Sequence, residues 1–538
     1  MLPETKVKTD MSASRRVPSL CCTKALLERI ARSQRFLLVL FFFIYTAGFG
    51  LISAKKILWN DELFTLYISR LPHFDDTWAA LKTGAEQTPP LFYAITRGSM
   101  CMLGTSGLTI RLPEMLAFGL MCFCLFYLVS RRTSPVFGFI SMLFPFMTTA
   151  FNYVVEGRAY ALVLAFTAFA LLCWMWAGEG RRRTLALTGL AVSLAAAVSC
   201  HYYAVLGLFP LGVGELARTF RRKKFDAGVW LALILSMSPL LIFLPLIESA
   251  RKFVPHFWAK PRWSSIGYYY EHFLLAPSAV PLLVMFLTVV IYCSFLRSKA
   301  DERRQRTVPD VPMHEVAAVI GFLLIPAVGV ILAKTVVGAY SDPYALPAVI
   351  GLCIIIAWGL YSALEGQEAP ALALGLLLCA FLTIKQAQTY RRLVMERSLK
   401  DSTYAFLEAN AQGDAPIVIS GPTNFTELTY GAPPALGTRL IYLADPGLAV
   451  QYTGTDDPDR GLIEMKSWAG LNVLPFRSFV ASAGPCYIYA QSSRDQYAWT
   501  VRAFQAARWK VTLVNWREEG VLLSAEPGHD KEPTVSGK

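Results

Sequence analysis

A chain of 538 residues that is 54% hydrophobic but only 17% charged is not an ordinary soluble protein, in which about a quarter of the residues are charged. The deficit lies in repeated apolar runs of about 20 residues, the length that crosses a bilayer core. It stops near residue 388, beyond which the sequence reads as a globular domain. The net charge of +13 does not argue for a nucleic-acid partner, because most Lys and Arg lie in short loops between the runs, as the positive-inside rule requires.

Residues 1–35 are polar and basic (Lys6, Lys8, Arg15, Arg16, Lys24, Arg29, Arg32, Arg35) and lead into an apolar run with no small-residue cleavage site. They read as a cytoplasmic segment before a signal-anchor helix over 36–54. The following runs are 112–130, 135–153, 159–177, 184–200, 202–217, 228–247, 279–297, 315–333, 345–362 and 369–387, which makes about eleven spanning helices. Cys122, Cys124, Cys173, Cys293, Cys353 and Cys379 lie in these runs, where free Cys acts as a small apolar residue. No zinc-type Cys/His spacing is present.

The segment 89–104 (PPLFYAITRGSMCMLG) is apolar but short, and Arg97 in its middle would cost about 2.5–3.5 kcal/mol at a bilayer centre. If it spans, the basic loops at Arg131–Arg132, Arg181–Arg183, Arg218 to Lys224 and Arg297 to Arg306 fall outside. If it lies on the membrane surface, they fall in the cytoplasm. The second arrangement makes 55–111 one external loop with an interfacial helix, and puts 154–158, 200–202, 248–278, 334–344 and everything after 388 outside. The 248–278 loop is rich in aromatic and basic residues (Trp258, Trp263, Tyr268, Tyr269, Tyr270; Arg251, Lys252, Lys260, Arg262). That composition suits an interfacial aromatic belt first, and it also fits a site for a phosphate head group.

Residues 36–390 thus form a membrane domain and 391–538 an external one. In the latter, strands are expected at 415–420, 439–444, 486–490, 510–515 and 520–524, with helices at 423–430, 458–469 and 496–507. This alternation gives a small open α/β sheet covered by helices. It holds no glycine-rich nucleotide motif. Asn424 opens an Asn-Phe-Thr sequon, which is discounted as a chance match.

The external ends of the runs carry the chemistry. The first loop begins Trp59-Asn60-Asp61-Glu62; Glu156 and Arg158 stand in EGRAY; Arg111 opens RLPE; His201 and Tyr202 end another run. Asp61 is placed to serve as a general base, which must be ionised and within hydrogen-bond reach of the hydroxyl it activates. Arg158 or Arg111 would hold it ionised, and the same planar guanidinium forks suit a phosphate leaving group.

WNDEL, TPPLFYAI followed by GLTIRLPEMLAFG, and EGRAYAL together resemble the GT-C membrane glycosyltransferases, in the branch that holds protein O-mannosyltransferases and the aminoarabinose transferases of lipid A. The resemblance covers residues 50–220, and the rest matches in layout. It implies an α-helical polytopic membrane protein, N-in and C-out, with a C-terminal soluble α/β domain. It also implies transfer of a sugar from a polyprenyl-phosphate carrier on the outer face of the cytoplasmic membrane. By the resemblance Asp61 is the catalytic base with Glu62 beside it, Glu156 is the second acidic residue, and Tyr160 follows Arg158 in the same motif. An Arg-Tyr pair late in the membrane part contacts the carrier phosphate in the family. Here Tyr344 is present but Pro343 replaces the Arg, leaving Lys334, Arg251 or Arg262 as substitutes.

The expected partners are a polyprenyl-phosphate sugar, membrane lipids and an acceptor that is a glycan, a lipid or a protein hydroxyl. No cofactor is assigned, although Asp61, Glu62 and Glu156 offer oxygens to a hard cation. The alternative reading is a transporter or flippase. Transporters place ionisable groups near the bilayer midplane, whereas here they cluster at the ends of the runs.

Overall fold

The computed structural model describes residues 27–297, 308–491 and 499–528. Lys6, Lys8, Arg15, Arg16, Lys24 and the loop residues 298–307 lie outside the described residues.

The membrane part begins with α1 (Gln34–Lys55), whose first turn is capped by the Ser33 hydroxyl. Three short helices follow: α2 (Asn60–Ser69), α3 (Phe74–Thr83) and α4 (Pro90–Leu103). α4 is the segment assigned to the membrane surface. Pro89 and Pro90 start it, and its 14 residues rise only about 21 Å, short of a bilayer core. Next come α5 (Gly107–Ser130), α6 (Pro135–Met147), α7 (Tyr160–Gly178), α8 (Arg183–Cys200) and α9 (Leu208–Arg222). They are followed by α10 (Ala227–Ile242), α11 (Leu244–His256), α12 (Ser265–Tyr292), α13 (Met313–Val337), α14 (Ala348–Ala363) and α15 (Glu368–Asn410).

Seven of the described helices are long and apolar enough to cross a membrane. The number is nine if two bent pairs each count as one span: α6 with Thr149–Val155, bent by 84°, and α10 with α11, bent by 64°. Pro145 and Pro245 lie at these breaks, where the missing N–H interrupts the helical ladder. The count of about eleven differs by the 16-residue α14 and by α9. The run expected at 202–217 is one turn, Tyr202–Gly207, followed by a helix that carries a buried Glu215–Arg218 ion pair of 2.6 Å.

The charges sort by end. Arg32 pairs with Glu368 at 2.6 Å, Arg131 and Arg132 with Glu179, Arg132 with Glu315, and Arg183 with Asp226 at 2.6 Å. α7 connects the two ends of the bundle: Arg158 and Tyr160 lie at its start, and Gly178 with Glu179 at its finish. The basic loops therefore gather at one end, and Glu62, Arg111, Glu156 and Arg158 at the other.

α15 is a single helix of 43 residues, about 65 Å long. Its first half is apolar, and its second half is polar and enters the sheet domain, so the domain boundary placed at 391 falls inside it. The sheet comprises β1 (Ile417–Ile419), β2 (Leu440–Ala444), β3 (Val473–Pro475), β4 (Cys486–Gln491), β5 (Lys510–Arg517) and β6 (Gly520–Glu526), in the order β3-β2-β1-β4-β6-β5. The first four run parallel, and β6 and β5 close the edge antiparallel. β3 was not among the expected strands; it is three residues long and ends in Pro475. Helices α16 (Pro422–Gly431), α17 (Pro446–Thr453), α18 (Asp457–Ala469), α19 (Phe476–Ser482) and α20 (Thr500–Ala506) surround the sheet.

Strand periodicity assigns the two faces to two cores. Ile417, Ile419, Leu440, Tyr442 and Tyr489 belong to the same continuous core as the membrane helices. Val418, Ile441, Leu443 and Ile488 face a separate core with Phe476, Trp499 and Phe504. The sheet domain is thus joined to the membrane part through one shared apolar layer.

Candidate active site

The site begins with two adjacent carboxylates that the first turn of α2 sends in different directions. Glu62 is fully buried and chelated by Arg111, Nε to Oε1 at 2.7 Å and Nη2 to Oε2 at 2.6 Å. The Gly157 N–H donates to Oε1 at 2.7 Å. Arg111 spends its remaining donors on the carbonyls of Ser53, Lys56 and Ile57, at 2.8–2.9 Å. All five guanidinium N–H groups are therefore used. Gly157 must lack a side chain here, because a Cβ would approach Ile110 to 2.9 Å. Lys56, 3.8 Å from Glu62, donates to the Val155 carbonyl at 2.8 Å. Burial opposes ionisation of Glu62, but Lys56 and Arg111 hold its carboxyl below the usual range.

Glu62 and Arg111 are thus placed together but saturate one another, with no donor left for a substrate phosphate. Their geometry is that of a staple joining the end of α1, α2, α5 and the EGRAY loop. Arg111→Ala strips the buried carboxylate of its bidentate partner, leaving only Lys56 at 3.8 Å and the Gly157 N–H, and is expected to cost about 3 kcal/mol. Thermal unfolding of the purified protein would measure this.

Asp61 is partly exposed. Its Oδ1 accepts from Asn60 Nδ2 at 3.1 Å. Arg158 donates to the Asp61 backbone carbonyl at 3.4 Å and to Glu86 Oε2 at 2.6 Å. Burial raises the Asp61 carboxyl above the ordinary carboxylate range, Arg158 opposes the rise, and Glu86 adds to it. Burial also pushes Glu156 up to about 7, and among the described residues none hydrogen-bonds its carboxylate. For Arg158, burial favours loss of the proton, but Glu86 and Asp61 outweigh it and fix the positive charge.

Glu86, which neutralises Arg158, was not among the sequence candidates. It stands in Gly84-Ala85-Glu86-Gln87, between a left-handed Gly84 cap and Pro89. Its one local signal is an acid trapped between two helix punctuators, and nothing local indicates a partner 72 positions later.

Tyr160, His201 and Tyr344 come together beside this cluster. The His201 ring lies 5.7 Å from Tyr160 and 4.8 Å from Tyr344, and Tyr203 stacks on Tyr344 at 4.4 Å. His201 Nδ1 accepts from the Tyr203 N–H at 3.2 Å, so its proton sits on Nε2. Burial, then Arg158, lowers its pKa to about 3, which keeps it neutral. Lys334 is not part of this group: it is exposed, over the Trp263 ring at 5.1 Å.

His201 and Tyr344 also line a cavity of about 210 Å³. Its other walls are largely apolar, from Ile247, Phe253, Val254, Phe257, Leu332 and Val336. Among the described residues Arg251 is the one cation in its lining; Lys334 and Arg262 are not part of it.

The arrangement predicts opposite responses at Asp61. Glu86→Gln removes a like charge and lowers its pKa, and Arg158→Gln removes the opposing cation and raises it. Carbodiimide labelling, which selects the protonated carboxyl, should show the Asp61 midpoint moving down in the first variant and up in the second when followed by mass spectrometry across pH.

Residues 87–246 match the family model of dolichyl-phosphate-mannose-protein mannosyltransferases. Two crystal structures of ArnT from Cupriavidus metallidurans share the fold at 12% identity and a TM-score of 0.55. The apo structure aligns over 94% of this chain and 98% of that one, and the structure bound to undecaprenyl phosphate over 90% and 97%. No curated protein matches by sequence. The expected architecture is borne out: the chain is a multi-pass membrane protein with the GT-C fold of the membrane glycosyltransferases and a small C-terminal sheet region.

Proposed function

We propose that the protein moves a sugar from a polyprenyl-phosphate carrier to an acceptor hydroxyl at the outer face of the cytoplasmic membrane, with inversion and with Asp61 as general base. The observation that carries this reading is a partly exposed carboxylate of raised pKa beside a fixed Arg–Glu pair, whose Arg158 also acts on His201 in the wall of an apolar cavity. The match to mannosyltransferases over 87–246 and the undecaprenyl phosphate bound to the structurally similar ArnT support it.

The acceptor O–H gives its proton to the Asp61 carboxylate as the oxygen attacks the anomeric carbon. The bond from that carbon to the carrier phosphate breaks, and the phosphate leaves with the electron pair. One base and one cation suffice, without the paired carboxylates of glycosidases. A base works best when its pKa lies near the operating pH, and burial moves Asp61 in that direction. Glu156, half-protonated near neutrality, suits a hydrogen bond to a substrate hydroxyl. The first isoprenes of the carrier would lie in the apolar cavity. Of the three candidates to replace the missing Arg at Pro343, Arg251 is the one that lines it.

Asp61→Asn should lower kcat by about 10²–10⁴ while the protein stays folded, and full retained transfer would sink the assignment of the base. The sign with pH follows from the raised pKa. The base is ionised above it, so transfer should be lost as pH falls through a midpoint higher than that of an exposed Asp.

Arg251→Ala removes a charge-assisted contact to the phosphate. It should raise the donor KM about tenfold or more with little change in kcat at saturation. Steady-state kinetics with a synthetic polyprenyl-phosphate hexose series would read this.

A further inference from the structure

The Asn-Phe-Thr sequence at 424–426 takes on a different meaning in the fold. Asn424 is 3% exposed and Thr426 is fully buried on α16 of the sheet domain, so the triplet is no glycan acceptor. The Thr426 hydroxyl lies 2.8 Å from Asn60 Oδ1 and 2.9 Å from the Thr423 carbonyl, two acceptors for its one proton. Glu427 Oε1, from the same helix, accepts the Asn60 backbone N–H at 3.4 Å. Asn60 in turn donates through Nδ2 to Asp61 Oδ1. The sheet domain therefore reaches residue 61 through one intervening side chain.

The chemistry of the three groups fixes a direction. An ionised carboxylate can only accept, so the Asn60 amide must face Asp61 with its nitrogen. Its oxygen then points away and needs a donor. Thr426 supplies it whenever its proton faces Asn60 Oδ1, at 2.8 Å, in place of the Thr423 carbonyl, at 2.9 Å. If the amide turned over, its oxygen would face the carboxylate and its nitrogen the hydroxyl, which matches a protonated Asp61 instead. A hydroxyl proton aimed at Asn60 Oδ1 thus favours the orientation that serves the ionised acid.

We propose that Thr426 is a positioning residue of the active centre: it orients Asn60, Asn60 holds the Asp61 carboxylate, and the docked sheet domain is thereby part of the catalytic machinery. This rests on the reading of Asp61 as base, but the contact itself can be tested without substrate. The charged groups that act on Asp61 are Arg158 and Glu156 from the EGRAY loop, Glu86 from the loop before α4, and Glu62 from α2 itself. None of them touches Thr426, so a change at Thr426 reports the amide path.

The test uses the full-length protein in nanodiscs and the pH dependence of carbodiimide labelling at Asp61. Thr426→Val keeps the shape and removes the donor. Its Asp61 midpoint should rise by about half to one pH unit, the worth of the one neutral hydrogen bond that orients the amide. Thr426→Ser should restore the wild-type midpoint. In an Asn60→Ala background the Thr426→Val change should add nothing, because the path is already cut. A folded Thr426→Val protein with an unmoved midpoint overturns the proposal. So does a shift of equal size in the Asn60→Ala background, which would show a general loosening of the domain contact. Transfer activity of Asp61→Asn is a separate measurement, so failure of the base assignment is distinguishable from failure of the relay.

Discussion

The Glu62–Arg111 ion pair is the constraint on which the rest of the site depends. It is fully buried, and burying two charges is costly unless every remaining donor and acceptor is met. Here they are met by backbone: the carbonyls of Ser53, Lys56 and Ile57 on one side and the N–H of Gly157 on the other. Because the partners come from the end of α1, the start of α2, the start of α5 and the EGRAY loop, these four segments cannot shift independently. Asp61 precedes Glu62 on the same helical turn and Arg158 follows Gly157. Their relative position is set by the staple beneath them.

This explains why two neighbouring acids divide so sharply. The turn of α2 points Glu62 into the bundle, where two cations hold it ionised, and leaves Asp61 on the side where burial raises its pKa. Sequence alone shows both as a pair past the end of an apolar run. Which one is structural depends on the direction of that helix and on Arg111, 49 positions later.

The parts that were legible in the sequence are those with a local cause. Long apolar runs, the proline-started α4 and the alternating strands β1, β2, β4, β5 and β6 follow from periodicity and punctuation. The sorting of charges to two ends followed from the treatment of 89–104 alone. What was not legible has a non-local cause. β3 is a strand because β2 offers it a parallel edge, not because Val473-Leu474-Pro475 alternates. α9 tolerates Glu215 and Arg218 because they pair, with Trp174 Nε1 donating to Glu215 at 2.9 Å. Glu86, Asn60 and Thr426 matter through contacts 72 and 366 residues apart in sequence. The shared core between sheet and membrane helices also left no mark in composition, because each strand looks like a strand of an independent domain.

The charge balance of the site then limits how a phosphate can be received. Four carboxylates (Asp61, Glu62, Glu86, Glu156) face three cations (Lys56, Arg111, Arg158). An excess negative charge in a partly dry site is relieved by protonation, and Glu156, raised to about 7, is the group that takes it up. Arg111 is consumed by Glu62 and Arg158 by Glu86, and Lys56 stands 3.8 Å from Glu62 and donates to the Val155 carbonyl, so each of the three cations already has a partner. A carrier phosphate placed among these carboxylates would be repelled. Placed at the cavity wall near Arg251, it would stand apart from these acids, none of which lines the cavity. That separation is what an in-line displacement needs: the hydroxyl and its base on one face of the anomeric carbon, the departing phosphate on the other. On this view the replacement of the expected Arg by Pro343 is not a lost function. In the proposed mechanism its place is taken by Arg251 of the 244–256 segment, which lines the cavity where the four acids do not.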